Sequence, residues 1–303
     1  STKDLEDRLH VPDLTIFESF RKKIASKSRG FEAPFDCINA VEATTSMTFE
    51  EGLEFERKTF VRLRDSNKSK AMRHMFFAER EAAKIPGISK DVNLQTIDRA
   101  AVIGSGTMGG GISMNFANVG IPVCLVDVSQ EVVDQGLEKV RDNYARSVSS
   151  GRISQETMDE RLALITGTTN YVGVAEADIV IEAVFEEMSL KKKIFKELDE
   201  ICKSETILAS NTSSLDINEI SKSTKRPDKV CGTHFFSPAN VMKLMENVRT
   251  AKSSTNTIAT IMRLSKTLGK VGVLVGVGDG FVGNRMLHVA ARVAEFMVEE
   301  GAL

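Results

Sequence analysis

From residue 97 onward, short apolar runs of strand length alternate with longer segments whose apolar residues recur at helical spacing. Runs at 100–103, 123–126, 165–168, 179–181, 207–209, 230–233, 243–248 and 271–275 predict strands. Helical periodicity over 112–119, 129–148, 154–164, 190–202, 217–221, 256–268 and 281–300 predicts the helices between and after them. This alternation predicts an α/β fold, a mostly parallel sheet covered by helices on both faces. Residues 1–96 are charged and helical in period, with little strand signal. Helices are expected there at 14–26, 49–65 and 68–84. The second carries Leu53, Phe60, Val61 and Arg64 on an inward stripe; the third carries Met72, Met75, Phe76 and Ala83. Pro86 and Gly87 should end the third, and 88–96 should form a linker. The pattern divides the chain into a helical segment (1–96), a sheet-bearing domain (97–280) and the start of a further helical part (281–303).

The first strand runs straight into Gly104, Gly106 and Gly109, spaced G-x-G-x-x-G within R-A-A-V-I-G-S-G-T-M-G-G-G. Gly104 permits a sharp turn, Gly106 lets a pyrophosphate approach the backbone, and Gly109 lets the following helix pack closely on the strand. Such phosphates would sit on free N–H groups at the helix N-terminus. Glycine spacing alone is a weak signal, but the second strand ends in Asp127, placed to hold the adenosine ribose hydroxyls of a dinucleotide. Its charge would repel a 2′-phosphate and no arginine follows in Val128-Ser129-Gln130, so NAD is expected over NADP. A doubly wound Rossmann-type domain binding NAD through Gly104, Gly106, Thr107, Met108, Gly109 and Asp127 is the reading that results.

Composition narrows the alternatives. With 303 residues, 42% hydrophobic content and a net charge of −2, the chain carries no basic footprint for nucleic acid. No stretch approaches a membrane span and the charged N-terminus is unlike a signal peptide, so no membrane insertion is expected. Cys37, Cys124, Cys202 and Cys231 lack any C-x-x-C spacing, and three of them lie in or beside apolar runs, which fits a reducing compartment. His10 and His74 have no second ligand type at metal spacing, and no metal site is expected. The chain begins without methionine, and the apolar face of the helix at 281–300 has no obvious partner in the sequence; both suggest a fragment.

In open sheets of this type ligands bind at the carboxyl ends of the strands. That rule gathers Glu182 and Glu186 after the strand at 179–181, Asn211 to Ser214 after 207–209, and His234 after 230–233. A neutral imidazole can take a hydroxyl proton near neutral pH if a carboxylate fixes its tautomer. Glu246 is the nearest candidate, although His234 could equally cap its strand while Glu246 forms a rim ion pair.

The motifs G-S-G-T-M-G-G-G-I, I-E-A-V-F-E-E-M-S-L-K, A-S-N-T-S-S-L, H-F-F-S-P-A-N-V-M-K-L-M-E and G-D-G-F-V-G-N-R, in this order over 97–303, resemble the NAD-dependent L-3-hydroxyacyl-CoA dehydrogenases. The resemblance implies His234 as general base, Glu246 as its orienting carboxylate, and Ser213 and Asn284 as substrate contacts, Ser213 also lying beside the cofactor. It implies Glu186 and Lys191 beside the nicotinamide ribose, although by residue type they could be solvated charges in the first turn of a helix. Two details depart from firm matches: Ser237 stands where many relatives carry Asn, and Arg146 and Arg152 are only loosely matched to a CoA phosphate site.

Residues 30–87 resemble the helical segment joining hydratase/isomerase to dehydrogenase in multifunctional β-oxidation enzymes. The hydratase active-site domain is absent, so no enoyl-CoA hydration is expected, and that missing domain is the expected covalent partner in a longer chain. The helical C-terminal dehydrogenase domain is represented only by its first helix. The resemblance implies an acyl-CoA substrate and a peroxisomal location, with mitochondrion or bacterial cytoplasm as alternatives; an oligomer is left open. Two rival readings are a non-catalytic, crystallin-like NAD-binding protein on the same scaffold, and a dehydrogenase of short hydroxy acids, which tends to use lysine where this chain has the His234 region.

Overall fold

The structure is a computed structural model that describes residues 13–85, 87–88 and 92–302. The chain forms two compact units, Ser1–Glu81 and Ala82–Leu303. The expectations for His10 and Pro86 lie outside the described residues.

The first unit holds four helices among its described residues: α1 (Thr15–Ser28), α2 (Ala33–Ala43), α3 (Phe49–Asp65) and α4 (Asn67–Ala82). The pattern reading expected three and missed α2, whose first turn contains Pro34 at a position where proline's missing N–H costs nothing. Arg62 of α3 reaches back to Asp36 of α2 at 2.5 Å. A capping box starts α3, with the Thr48 hydroxyl accepting from Glu51 N and the Glu51 carboxylate accepting from Thr48 N. The inward stripe expected on α3 is not buried: Phe60 is 61% exposed, and Leu53 and Val61 are exposed with it. Met72, Met75 and Phe76 of α4 are exposed too, and neither helix has a buried residue. His74 lies on the surface.

The second unit is built on eight strands: β1 (Ala100–Ile103), β2 (Val123–Val126), β3 (Ile165–Thr168), β4 (Ile179–Glu182), β5 (Ile207–Ser210), β6 (Val230–Phe235), β7 (Leu244–Arg249) and β8 (Val271–Gly276). They form one sheet in the order β3-β2-β1-β4-β5-β6-β7-β8. All neighbours are parallel except β6 and β7. The helices are α5 (Thr107–Ala117), α6 (Gln130–Ser149), α7 (Gln155–Ala163), α8 (Met188–Ile201), α9 (Ile217–Ser221), α10 (Thr255–Thr267) and α11 (Gly283–Glu299). Serine hydroxyls at Ser129, Ser154 and Ser254 cap α6, α7 and α10, each accepting a backbone N–H of the first turn.

The two-residue side-chain period of the strands divides the core. Ala100 and Val102 join Ile112 and Phe116 of α5, Val140 of α6 and Ile258 of α10 on one face. Ala101 and Ile103 join Phe195 and Leu198 of α8 and Ile220 of α9 on the other. Burial on both faces explains why the central strands read as continuous apolar runs. The strand order reverses between the parallel neighbours β1 and β4, which opens a crevice at their carboxyl ends.

Candidate active site

The glycine turn lies at that crevice. Gly104 has φ +100°, and a β-carbon there would come 2.6 Å from the carbonyl oxygen of Ala183, which follows β4. A β-carbon at Gly109 would lie 1.7 Å from the oxygen of Gly104, so α5 can reach the strand only with glycine at that position. Gly106 faces open space, and no side chain caps the N-terminus of α5. Thr107 is exposed beside it, while Met108 leans on the core. Asp127, directly after β2, accepts from Ser105 N (2.6 Å), Ser105 Oγ (2.9 Å) and Val128 N (2.7 Å), which fixes the carboxylate against the turn. An open turn leading into a helix N-terminus with no side-chain cap, and a fixed acid at the second strand's end, fit a dinucleotide pyrophosphate and its adenosine ribose.

His234 does not follow its strand, as the pattern had suggested; β6 continues through Phe235 and the histidine lies inside it. The antiparallel register sets it directly opposite Glu246 of β7. His234 is 5% exposed and Glu246 1%, and His234 Nδ1 lies 2.8 Å from Glu246 Oε2. The other carboxylate oxygen accepts from Val282 N (3.1 Å) and Gly283 N (2.8 Å), where α11 begins. Burial opposes ionisation of Glu246, but the bond from His234 and the two N–H groups prevail and hold its carboxyl below the usual value. An ionised carboxylate on Nδ1 makes that nitrogen the donor and leaves Nε2 as the basic one. Phe236 and Phe281 flank the ring, with centroids 4.4 and 5.7 Å away.

The loop after β5 brings Ser213 to the same rim. Glu186 Oε1 accepts from Thr212 Oγ1 (2.5 Å), Ser213 N (2.9 Å) and Ser214 N (3.2 Å), and Ser213 Oγ lies 3.2 Å from it. Burial raises the carboxyl of Glu186, but the Thr212 hydroxyl, the Lys191 ammonium and Ser213 N–H outweigh it and keep it low. Asn211 Oδ1 accepts from Phe235 N at 2.8 Å, which ties this loop to β6. Asn284, in the first turn of α11, donates to Ser213 O at 3.5 Å. His234, Glu246, Ser213 and Asn284 are thereby linked through one hydrogen-bonded neighbourhood. Glu186 is partly exposed at the rim, but Lys191 is no solvated charge. It is 1% exposed, with Nζ 2.6 Å from Glu182 Oε1 and 3.3 Å from Glu186 Oε2.

Pattern reading had placed Glu182 at the rim without a role, and it had no account of Val282 and Gly283. The glycine of G-F-V-G-N-R was the available signal: a β-carbon at Gly283 would come 2.8 Å from the ring of Phe236. Arg146 and Arg152 are exposed, and no described contact assigns them a ligand.

A doubly wound sheet with a dinucleotide turn and a buried His–Glu pair at one rim defines a nicotinamide-dependent dehydrogenase domain. Residues 99–293 match the 3-hydroxyacyl-CoA dehydrogenase, NAD binding domain family. The chain belongs to that family and carries its NAD-binding domain. It is 40% identical over 292 residues to the peroxisomal bifunctional enzyme of Homo sapiens, covering 95% of this chain and 40% of that protein. It is 37% identical over 270 residues to the Arabidopsis thaliana peroxisomal fatty acid beta-oxidation multifunctional protein MFP2, covering 89% of this chain and 37% of the relative. The chain thus spans about two fifths of the length of these relatives. The (S)-3-hydroxybutyryl-CoA dehydrogenase PaaH1 of Ralstonia eutropha superposes with TM-score 0.67 at 38% identity, covering 69% of this chain and 74% of that one.

Proposed function

We propose that this chain is the NAD-dependent L-3-hydroxyacyl-CoA dehydrogenase part of a multifunctional β-oxidation enzyme, converting a 3-hydroxyacyl-CoA to the 3-ketoacyl-CoA. The observation that carries the reading is the buried contact of 2.8 Å between His234 Nδ1 and Glu246 Oε2, in the sheet that also carries the dinucleotide turn. The turn at Gly104, Gly106 and Gly109 and the Asp127 carboxylate would hold NAD, which when bound would supply the hydride acceptor. His234 Nε2 takes the proton of the 3-hydroxyl, and Glu246 stabilises the imidazolium that results. Ser213 and Asn284 contact the substrate at the reacting hydroxyl or the thioester oxygen, and Glu186 keeps the Ser213 loop in place. In the direction of reduction the imidazolium returns the proton. A purely structural NAD-binding protein has no use for a buried, tautomer-fixing carboxylate behind its histidine.

The helices before residue 82 are assigned to the tail of a hydratase/isomerase region, with that region as covalent partner. The peroxisomal relatives support a peroxisomal location. Reduction of acetoacetyl-CoA with NADH by the purified chain tests the activity. His234→Ala should lower turnover by about 100-fold or more while NADH binding persists. Near-normal turnover by a folded His234→Ala protein would remove the histidine from the mechanism.

A further inference from the structure

Glu182 ends β4 with a side chain that is 0% exposed, and the chemistry proposed above gives it no task. A carboxylate is costly to bury unless its hydrogen-bonding capacity is met. Here it is met by three donors: Ser210 Oγ at 2.7 Å, Val184 N at 2.8 Å and Lys191 Nζ at 2.6 Å. Each donor leads to a different part of the rim. Val184 follows Ala183, and a β-carbon on Gly104 would meet both backbones, at 2.6 Å for Ala183 O and 3.2 Å for Val184 N. Glu182 therefore braces, from inside the protein, the segment on which the dinucleotide turn rests. Ser210 opens the loop that carries Ser213, and its hydroxyl also accepts from Thr212 N at 3.2 Å. Lys191 passes the contact on to Glu186, which gathers Thr212, Ser213 and Ser214.

We infer that Glu182 is a positioning residue that locks the dinucleotide turn to the Ser213 loop, acting through the ammonium of Lys191. The inference rests on the cofactor reading above but not on turnover of an acyl-CoA. Glu182→Gln keeps the shape and an oxygen for Val184 N–H, yet removes the charge facing Lys191. Lys191 is then drawn toward Glu186, and the Ala183–Val184 segment, still bonded to residue 182, loses its charged link to the Ser213 loop.

The test is a fluorescence titration of NADH on the purified chain and on Glu182→Gln, Lys191→Met, the double variant and Ser210→Ala. Glu182→Gln and Lys191→Met should each raise the NADH Kd roughly fivefold or more, and the double variant should bind no worse than the weaker single one. Ser210→Ala, which deletes one hydroxyl and threatens folding least, should move Kd in the same direction by about twofold. Losses that multiply in the double variant, or a Glu182→Gln protein that melts lower but binds NADH like the parent chain, would overturn the inference. A parent chain that does not bind NADH would instead remove the cofactor reading itself.

Discussion

Replacing Glu246 with Gln is the sharpest perturbation of this site, because the amide cannot satisfy all of its neighbours. The carboxylate accepts on both sides, from His234 Nδ1 at 2.8 Å and from Val282 N and Gly283 N at 3.1 and 2.8 Å. If the glutamine oxygen faces the two backbone N–H groups, its NH2 faces Nδ1. The imidazole must then accept there and carry its proton on Nε2, where a base is needed. If the amide turns over, the tautomer is kept, but an NH2 faces two buried N–H donors, each unpaired group costing about 1–3 kcal/mol. Either orientation removes the charge that stabilises the imidazolium. The expected loss in kcat is about 10²–10⁴-fold, the scale of a positioned proton-transfer group, or roughly 3–5 kcal/mol in the barrier. The assay follows NADH consumption with acetoacetyl-CoA across pH, alongside NADH binding and melting.

The stability profile has a defined sign. Folding lowers the Glu246 pKa from its ordinary 4.5, so the stabilisation is present above that value and is lost as pH falls through the lowered one. Glu246→Gln should lack that component of acid sensitivity. Turnover within about threefold of the parent chain, with an unchanged pH profile, would refute the dyad argument.

Gly109→Ala would place a β-carbon 1.7 Å from Gly104 O, and should cost at least about 1–3 kcal/mol of stability and abolish measurable NADH binding, as melting and titration would show. Asp127→Asn removes the charge beside the ribose site and should narrow the preference for NADH over NADPH by about tenfold, read from paired Kd values. Thiol labelling should modify exposed Cys37 first. Cys231, pushed to about 12 by burial, and Cys202, pushed to about 11 mainly by burial, should react only on unfolding, which mass spectrometry of partly labelled protein would reveal.

Much of this architecture was legible in the residue pattern because it is encoded locally. The central strands β1, β4 and β5 are buried on both faces and so had to read as apolar runs, and the turn needed glycines at 104 and 109 wherever the rest of the chain lay. The ends of β4, β5 and β6 were drawn short because Glu182, Ser210 and His234 are polar residues in the last turns of buried strands, and polarity alone reads as loop. The helix α2 was missed, and the stripe of α3 was assigned to a core that the described residues do not form around it.

What the sequence determined by itself was the alternation of strand and helix, the glycine turn and the acid that closes it, because spacing along the chain carries that information. The tertiary structure decided the rest. Whether His234 and Glu246 meet depends on an antiparallel register between strands, and whether that carboxylate stays charged depends on N–H groups 36 and 37 residues away. Lys191, which by residue type alone could have been a solvated charge, is buried between two carboxylates, because burial is a property of the neighbours a residue acquires on folding.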